Sequence, residues 1–490
     1  MDQHARNTMT RRVAAAMTAV SALFSVAAFA LATPAAALST LTASATLTGP
    51  ITTGHVIEPL SPTPENLAAE GYVQQEFLAS GIAEAFRATA APDDGHWTLT
   101  PTSSAPYETR ILVRRPASAA RFNGTVVVEW MNVTAGEAAP DWDYLNPMLT
   151  RDGYMWVGVS AQALAVNGGQ SLLGSSGPSQ GLAQQEPSRY GSLHHPGDLY
   201  SLDMFAQIGR ALHRFGDTAV FGSLHPRTVV AVGESQSAFY LTDFADGVQP
   251  ITHAFDGIFI HSRGGGGGGI ATAAGSGTDI TAGLKGGVRI RTDSSVPVFM
   301  FETQTDVTTL GYAAAEQANS THVHTWEVAG TSHADAYLVG NYASVLGCTQ
   351  PINNGPQHPV VQAAFTAFHA WVTLRTPPPS PAPFKLTSTN PATYAVDKYG
   401  NVIGGVRTPA VDVPVSTLSG SPPPGASVIC ELFGEATPLS AATLATMYPT
   451  KADYIAEYTK SLDKAIKDGY VLRADRAGML ARAEQAAIQG

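Results

Sequence analysis

This 490-residue chain has little charge: only 14% of its residues are Asp, Glu, Lys or Arg. Set beside a hydrophobic content of 44%, that scarcity excludes a disordered chain, which needs low hydrophobicity and high charge. Basic residues are the rarer sign, 28 against 39 acidic ones, for a net charge of −11 at pH 7. No segment carries a basic stripe. Nucleic acid is therefore excluded as a partner, because phosphate contacts require clustered Lys and Arg. Cysteine is nearly missing as well. The two present, Cys348 and Cys430, fit no metal-ligand spacing, and nothing nearby offers the low-pKa setting a reactive thiol needs. In an exported chain an isolated pair forms a disulfide, which here would staple the C-terminal third to the core. What the chain does have is length enough for a large catalytic domain with additions, and 47 Gly and 33 Pro for a loop-rich one.

A long apolar run opens the sequence. Arg6, Arg11 and Arg12 precede Val13–Leu31, and Pro34 then leads into Ala35, Ala36 and Ala37. A basic start, an apolar stretch and a small-residue site make a signal peptide over residues 1–37, with cleavage expected after Ala37. The expected location is secreted or periplasmic, with no stable membrane insertion after cleavage. An uncleaved anchor is the alternative, since the run approaches spanning length. Arg11 and Arg12 after Thr10 resemble a twin-arginine signal, although only alanines stand where more apolar residues belong.

Further on, TVVVEW (125–130), YMWVGV (154–159), TVVAV (228–232), FDGIFI (255–260), PVFMF (297–301) and VHTWEV (323–328) read as short strands. Residues 68–87 and 96–115 are less regular, helix or strand pieces leading into the sheet. Between strands lie helical patterns, such as Leu199, Leu202, Phe205, Ile208, Leu212 and Phe215 on one face. Continuous apolar strands alternating with amphipathic helices predict an α/β fold with a mainly parallel sheet covered on both sides. Two insertions interrupt it, 160–196 and 263–294, the second opening with Arg263 and six glycines. Neither is expected in the core; each reads as a lid or as flexible filler. A helix over 359–375 stops at TPPPSPAP, so 38–375 is the expected catalytic domain and 376–490 a C-terminal extension packed on it. A last helix is predicted over 451–467, with Ile455, Tyr458, Leu462 and Ile466 on one face and Gly469 as its stop.

Acyl transfer by a serine needs a base, a carboxylate to orient that base, and donors for the oxyanion. GESQS at 233–237 lies between a strand and a helix, where a nucleophile elbow places its serine, so Ser235 is the candidate nucleophile. Small residues must flank that tight turn. Gly233 satisfies this fully, and Ser237 stands where a second glycine is usual. The base should follow the last core strand, which selects His333 over His194, His195, His225, His253, His261, His322, His324 and His369. For the acid, Asp306 lies in the turn past 297–301 and Glu302 at the strand end; Asp306 is favoured, with Glu302 the alternative. Backbone N–H groups of Gln236 and of Asn132 or Val133 are the expected oxyanion donors. For Glu234, beside the nucleophile, a role in catalysis is the alternative, and the preferred reading has it hold a neighbouring element by hydrogen bonds. No metal or cofactor is called for.

With these residues placed, the chain resembles the α/β hydrolase superfamily, and more narrowly a secreted bacterial family of α/β hydrolase domain proteins. The resemblance rests on VEWMNV (128–133), VGESQSA (232–238), FDGIFIHSRG (255–264), AGTSHAD (329–335) and GGVRTPAVDVP (404–414), and runs across most of the mature chain. It implies the superfamily's triad at Ser235, Asp306 and His333 but no substrate. The leading expectation is a serine carboxylesterase acting on a small-molecule or polymeric ester. An amidase, peptidase or acyltransferase with the same triad is the alternative, and an inert binding protein the alternative of another class.

Overall fold

The computed structural model describes residues 42–60, 66–171, 179–214, 220–271, 284, 286–340, 343, 346–421, 425–427 and 429–488. The expected signal peptide, Phe215 and the middle of the 263–294 insertion lie outside them.

Nine strands form one sheet: β1 (Thr46–Thr48), β2 (Tyr72–Ala90), β3 (Thr98–Pro116), β4 (Thr125–Trp130), β5 (Met155–Val159), β6 (Thr228–Glu234), β7 (Gly257–His261), β8 (Val298–Thr303) and β9 (Val323–Val328). Their order is β1-β2-β3-β5-β4-β6-β7-β8-β9. Pairing is antiparallel from β1 to β5 and parallel from there to β9. The six apolar runs are thus the six strands β4 to β9. The less regular segments resolve into β2 and β3, two 19-residue arms of one antiparallel hairpin.

Alternation within each strand splits the core into two layers. Val126, Val128, Val229, Ala231 and Ile258 face helices α2 (Ser201–His213) and α3 (Gln236–Asp243). Val127, Val230, Val232, Phe259 and Phe299 face α1 (Pro140–Arg151) and α4 (Gln357–Leu374). Helix α1 begins with Pro140 at its first turn, and its amides at Asp141 and Trp142 donate to the Glu129 carboxylate at 3.0 and 2.8 Å. A strand side chain therefore caps the helix that follows it.

The glycine run corrects one expectation. Gly264, Gly265, Gly266, Gly268 and Gly269 are buried, and Gly268 N donates to Phe239 O at 3.1 Å, so the run packs on α3. A Cβ on Gly267 would fall 1.8 Å from Asp243 Oδ1, which explains why no side chain fits there. The 160–196 insertion is likewise anchored. Glu76 on β2, almost fully buried, accepts hydrogen bonds from Arg110 at 2.9 Å, Arg189 at 2.5 Å and Tyr190 Oη at 2.8 Å. Arg110 also pairs with Glu137.

Past α4, residues 386–438 add two small two-stranded sheets. Val406 bridges Val328 in parallel, at the outer edge of β9. Helix α5 (Lys451–Lys467) has the predicted bounds, and Gly469 follows it with φ +85°. It is not the last helix: Arg476–Ala483 comes after it, and Met479 packs with Tyr454, Tyr458 and Leu462. Cys348 and Cys430 are joined in a disulfide. Among the described residues no helix is long and apolar enough to cross a membrane.

Candidate active site

Strand β6 ends at Glu234 and α3 starts at Gln236, so Ser235 must turn the chain in a single residue. It does so at φ 59°, ψ −119°, a conformation costly for any side chain with a Cβ and characteristic of strained functional turns. Gly233 makes the turn possible. A Cβ there would meet Ser237 Cβ and Leu241 Cδ1 at 3.0 Å each. Ser237 itself is fully buried, its small side chain occupying the space beside Gly233.

His333 stands in the loop after β9 with its ring buried. Its Nε2 lies 2.7 Å from Ser235 Oγ and its Nδ1 lies 2.7 Å from Asp306 Oδ1. Three residues from the ends of three strands thus make one hydrogen-bonded chain. Asp306 is held from its own side by a capping box: Thr303 N and Thr303 Oγ1 donate to its Oδ2 at 2.6 and 2.7 Å. Thr305 Oγ1 accepts the His333 N–H at 3.1 Å and donates to Gly420 O at 2.7 Å, tying both loops to the C-terminal region. These threonines were not singled out from the sequence. The T-x-x-D spacing of Thr303 and Asp306 is the signal that could have found the first of them.

The electrostatics follow from this geometry. Burial favours a neutral Asp306, but the His333 charge and hydrogen bonds from His333 and Thr303 hold its pKa below the ordinary carboxylate value. Burial also works against a charged His333, yet the Asp306 charge and hydrogen bond, with the Glu234 charge, raise its pKa above 6.5.

The loop after β4 lies beside the turn. Asn132 Nδ2 donates to Glu234 O and Thr134 Oγ1 to Gln236 Oε1, both at 3.1 Å. One candidate donor is removed: Asn132 N already donates to Ala138 O at 2.9 Å, because the loop folds back on itself. Among the described residues, the N–H groups of Val133 and Gln236 have no such acceptor.

Glu302 is not brought to His333. It is buried within β8, paired in register with Glu327 on β9, and the Arg263 charge is the cation that reaches it. His261 is fully buried with its Nδ1 2.8 Å from Asp141 Oδ1, and His369 contacts Thr125 Oγ1 at 2.8 Å, so both are structural. Glu234 does two things: its backbone O holds Asn132 of the loop after β4, and its Oε1 lies 3.5 Å from His333 Nε2. Among the described residues no group of three or more His, Cys, Asp or Glu could hold a metal ion.

Solved structures similar to this chain include a CE15 glucuronoyl esterase from Teredinibacter turnerae, at 13% identity over 57% of this chain and 70% of that one, TM-score 0.25. A glucuronoyl esterase from Solibacter usitatus is 10% identical over 60% and 87%, TM-score 0.27. An α/β serine hydrolase without lid from Xanthomonas campestris is 10% identical over 58% and 94%, TM-score 0.29. No curated protein matches the chain. The model of the family described as alpha/beta hydrolase domain matches residues 47–481, nearly the whole described chain, and the protein therefore belongs to that family.

Proposed function

We propose that this protein is a secreted serine hydrolase of carboxylic esters, working through an acyl-enzyme on Ser235. The observation that carries the reading is the continuous chain Asp306–His333–Ser235, with 2.7 Å at both links and the serine on a strained turn. His333 Nε2 takes the Ser235 proton as Oγ attacks the ester carbonyl, and Asp306 fixes the ring so that Nδ1 carries the other proton. The N–H groups of Gln236 and Val133 receive the oxyanion, helped by the head of α3. The protonated His333 then releases the alcohol, and water activated by the same nitrogen releases the acid.

Substrate enters beside Val133 in this reading, where a cavity of about 350 Å³ is lined by Leu60, Leu164, Leu182, Glu137 and Gln185 among others. Its walls mix apolar residues with Glu58, Glu137, Gln180 and Gln185, so the proposal commits to an ester, free or at the end of a polymer, and to no particular acyl group. Export is supported by the signal pattern over 1–37 and by the disulfide, which persists in oxidising compartments.

The test is a fluorophosphonate label and short-chain aryl ester turnover on the mature protein. Labelling at Ser235 and turnover are expected in the wild type, and Ser235→Ala should lose both while keeping its melting temperature. Undiminished turnover by Ser235→Ala would end the proposal.

A further inference from the structure

His333 has a carboxylate on each side. Asp306 Oδ1 faces Nδ1 at 2.7 Å, and Glu234 Oε1 stands 3.5 Å from Nε2, the nitrogen that also faces Ser235. The second distance is too wide for a good hydrogen bond but short for two charges, and both side chains are about 95% buried, where little solvent screens them. Glu234 has its backbone fixed at this place. It is the last residue of β6, its backbone O accepts from Asn132 Nδ2, and the strained Ser235 follows it directly.

We infer that Glu234 is a second carboxylate partner of His333, a positioning residue that stabilises the imidazolium formed each time Nε2 takes a proton. It rests on the serine-hydrolase reading above. No bond is made or broken at Glu234: the proton moves from Ser235 Oγ, or from the deacylating water, to Nε2, and the anion beside that nitrogen lowers the cost of the positive ring. Asp306 alone would steady the ring from its far side. Glu234 acts on the side where the charge arrives.

The titratable groups packed around Glu234 define its pH behaviour. They are His333 after β9, His261 opposite it on β7, Asp141 and Tyr144 from α1, and Asp306 after β8. Burial pushes Glu234 up to about 7, against the opposing pull of His333 and His261. The anion is therefore gained as pH rises through neutrality. While present it keeps the His333 pKa high. Removing it must lower that pKa, and so carry the acid limb of activity to lower pH.

The experiment is the pH profile of kcat/KM for p-nitrophenyl acetate, from pH 5 to 9, on the mature wild type, Glu234→Gln and Glu234→Asp. Glu234→Gln should keep fluorophosphonate labelling at Ser235, lose ~tenfold in kcat/KM at pH 8, and shift its acid limb to lower pH. Glu234→Asp, which keeps the charge, should restore the wild-type limb. An acid limb unmoved in Glu234→Gln overturns the inference, whatever happens to the rate. If Glu234→Gln does not fold, the His333 ring is titrated by NMR in the wild type. Two inflections, one near neutrality from Glu234, are expected there, and a single one overturns the inference. Absence of Ser235 labelling in the wild type would instead overturn the serine-hydrolase reading itself.

Discussion

Ser237 shows how closely the turn at Ser235 is packed. Its Oγ is buried without a hydrogen-bond partner among the described residues, while its Cβ fills the space beside Gly233. Only the carbon is useful there. Ser237→Ala should thus hold or raise stability, by up to about 1 kcal/mol, since it removes an unsatisfied buried hydroxyl. A urea melt checks this; a clear loss of stability would mean that the hydroxyl has a role. Ser235, His333 and Asp306 could be named from the sequence because acyl chemistry needs those residue types in that chain order. The choice between Asn132 and Val133 could not, since a backbone N–H has no residue-type signature and only the Asn132–Ala138 bond decides it. The sequence could not choose between the two readings of Glu234 for a related reason. A strand-end letter does not say which way its side chain points, and His333 lies almost a hundred residues further along.

At the level of elements, β4 to β8 were legible because each is buried around an apolar run, and β9 (VHTWEV) because most of its residues are β-branched or aromatic. The arms β2 and β3 were not, because their outer halves are mixed in burial and carry polar residues such as Thr98, Thr100 and Ser103. The glycine run was read as a lid or as flexible filler outside the core because composition reports freedom, whereas α3 supplies the packing that removes it. The 160–196 insertion is fixed in a comparable way, through ions. Glu76 alone joins Arg110 of β3 to Arg189 and Tyr190 of the insertion. Glu76→Ala would leave the buried Arg189 without a carboxylate, Arg110 keeping Glu137, and should cost about 3–5 kcal/mol. Chemical denaturation measures that loss, and limited proteolysis should cut first within 160–196.

Across the whole molecule, buried acids set the pH response of stability. Burial pushes Asp203 and Asp335 up to about 6, Glu234 and Glu327 to about 7 and Asp246 to about 8. Between an unfolded value of about 4 and these folded values, the native state holds more protons than the unfolded chain. Stability from these groups is complete below about pH 4 and is lost as pH climbs through 6 to 8. Asp306, lowered, works the other way and loses its contribution only in acid. Glu129, Asp243 and Glu302, also raised by burial, add to the fall, whereas His195, His324, His358 and His369, lowered by burial, oppose it only up to about pH 7. The melting temperature should therefore fall from pH 7 to pH 8.5 in a calorimetric series, and a rise over that interval would contradict the assignment.

The two edges of the sheet are covered by segments far apart in the chain. The three-residue β1 lies along β2, and Val406 exchanges hydrogen bonds with Glu327 and Ala329 at β9, 3.0 Å at the latter. A ribosome making this protein supplies the first closure before any of the parallel strands exist, but the second only some 80 residues after β9 is complete. In that interval the newest strand carries an unmatched row of amides and carbonyls, ready to pair with another chain. Timing becomes a property of the sequence: the region that finishes the sheet also decides how long the nascent protein is exposed to its neighbours.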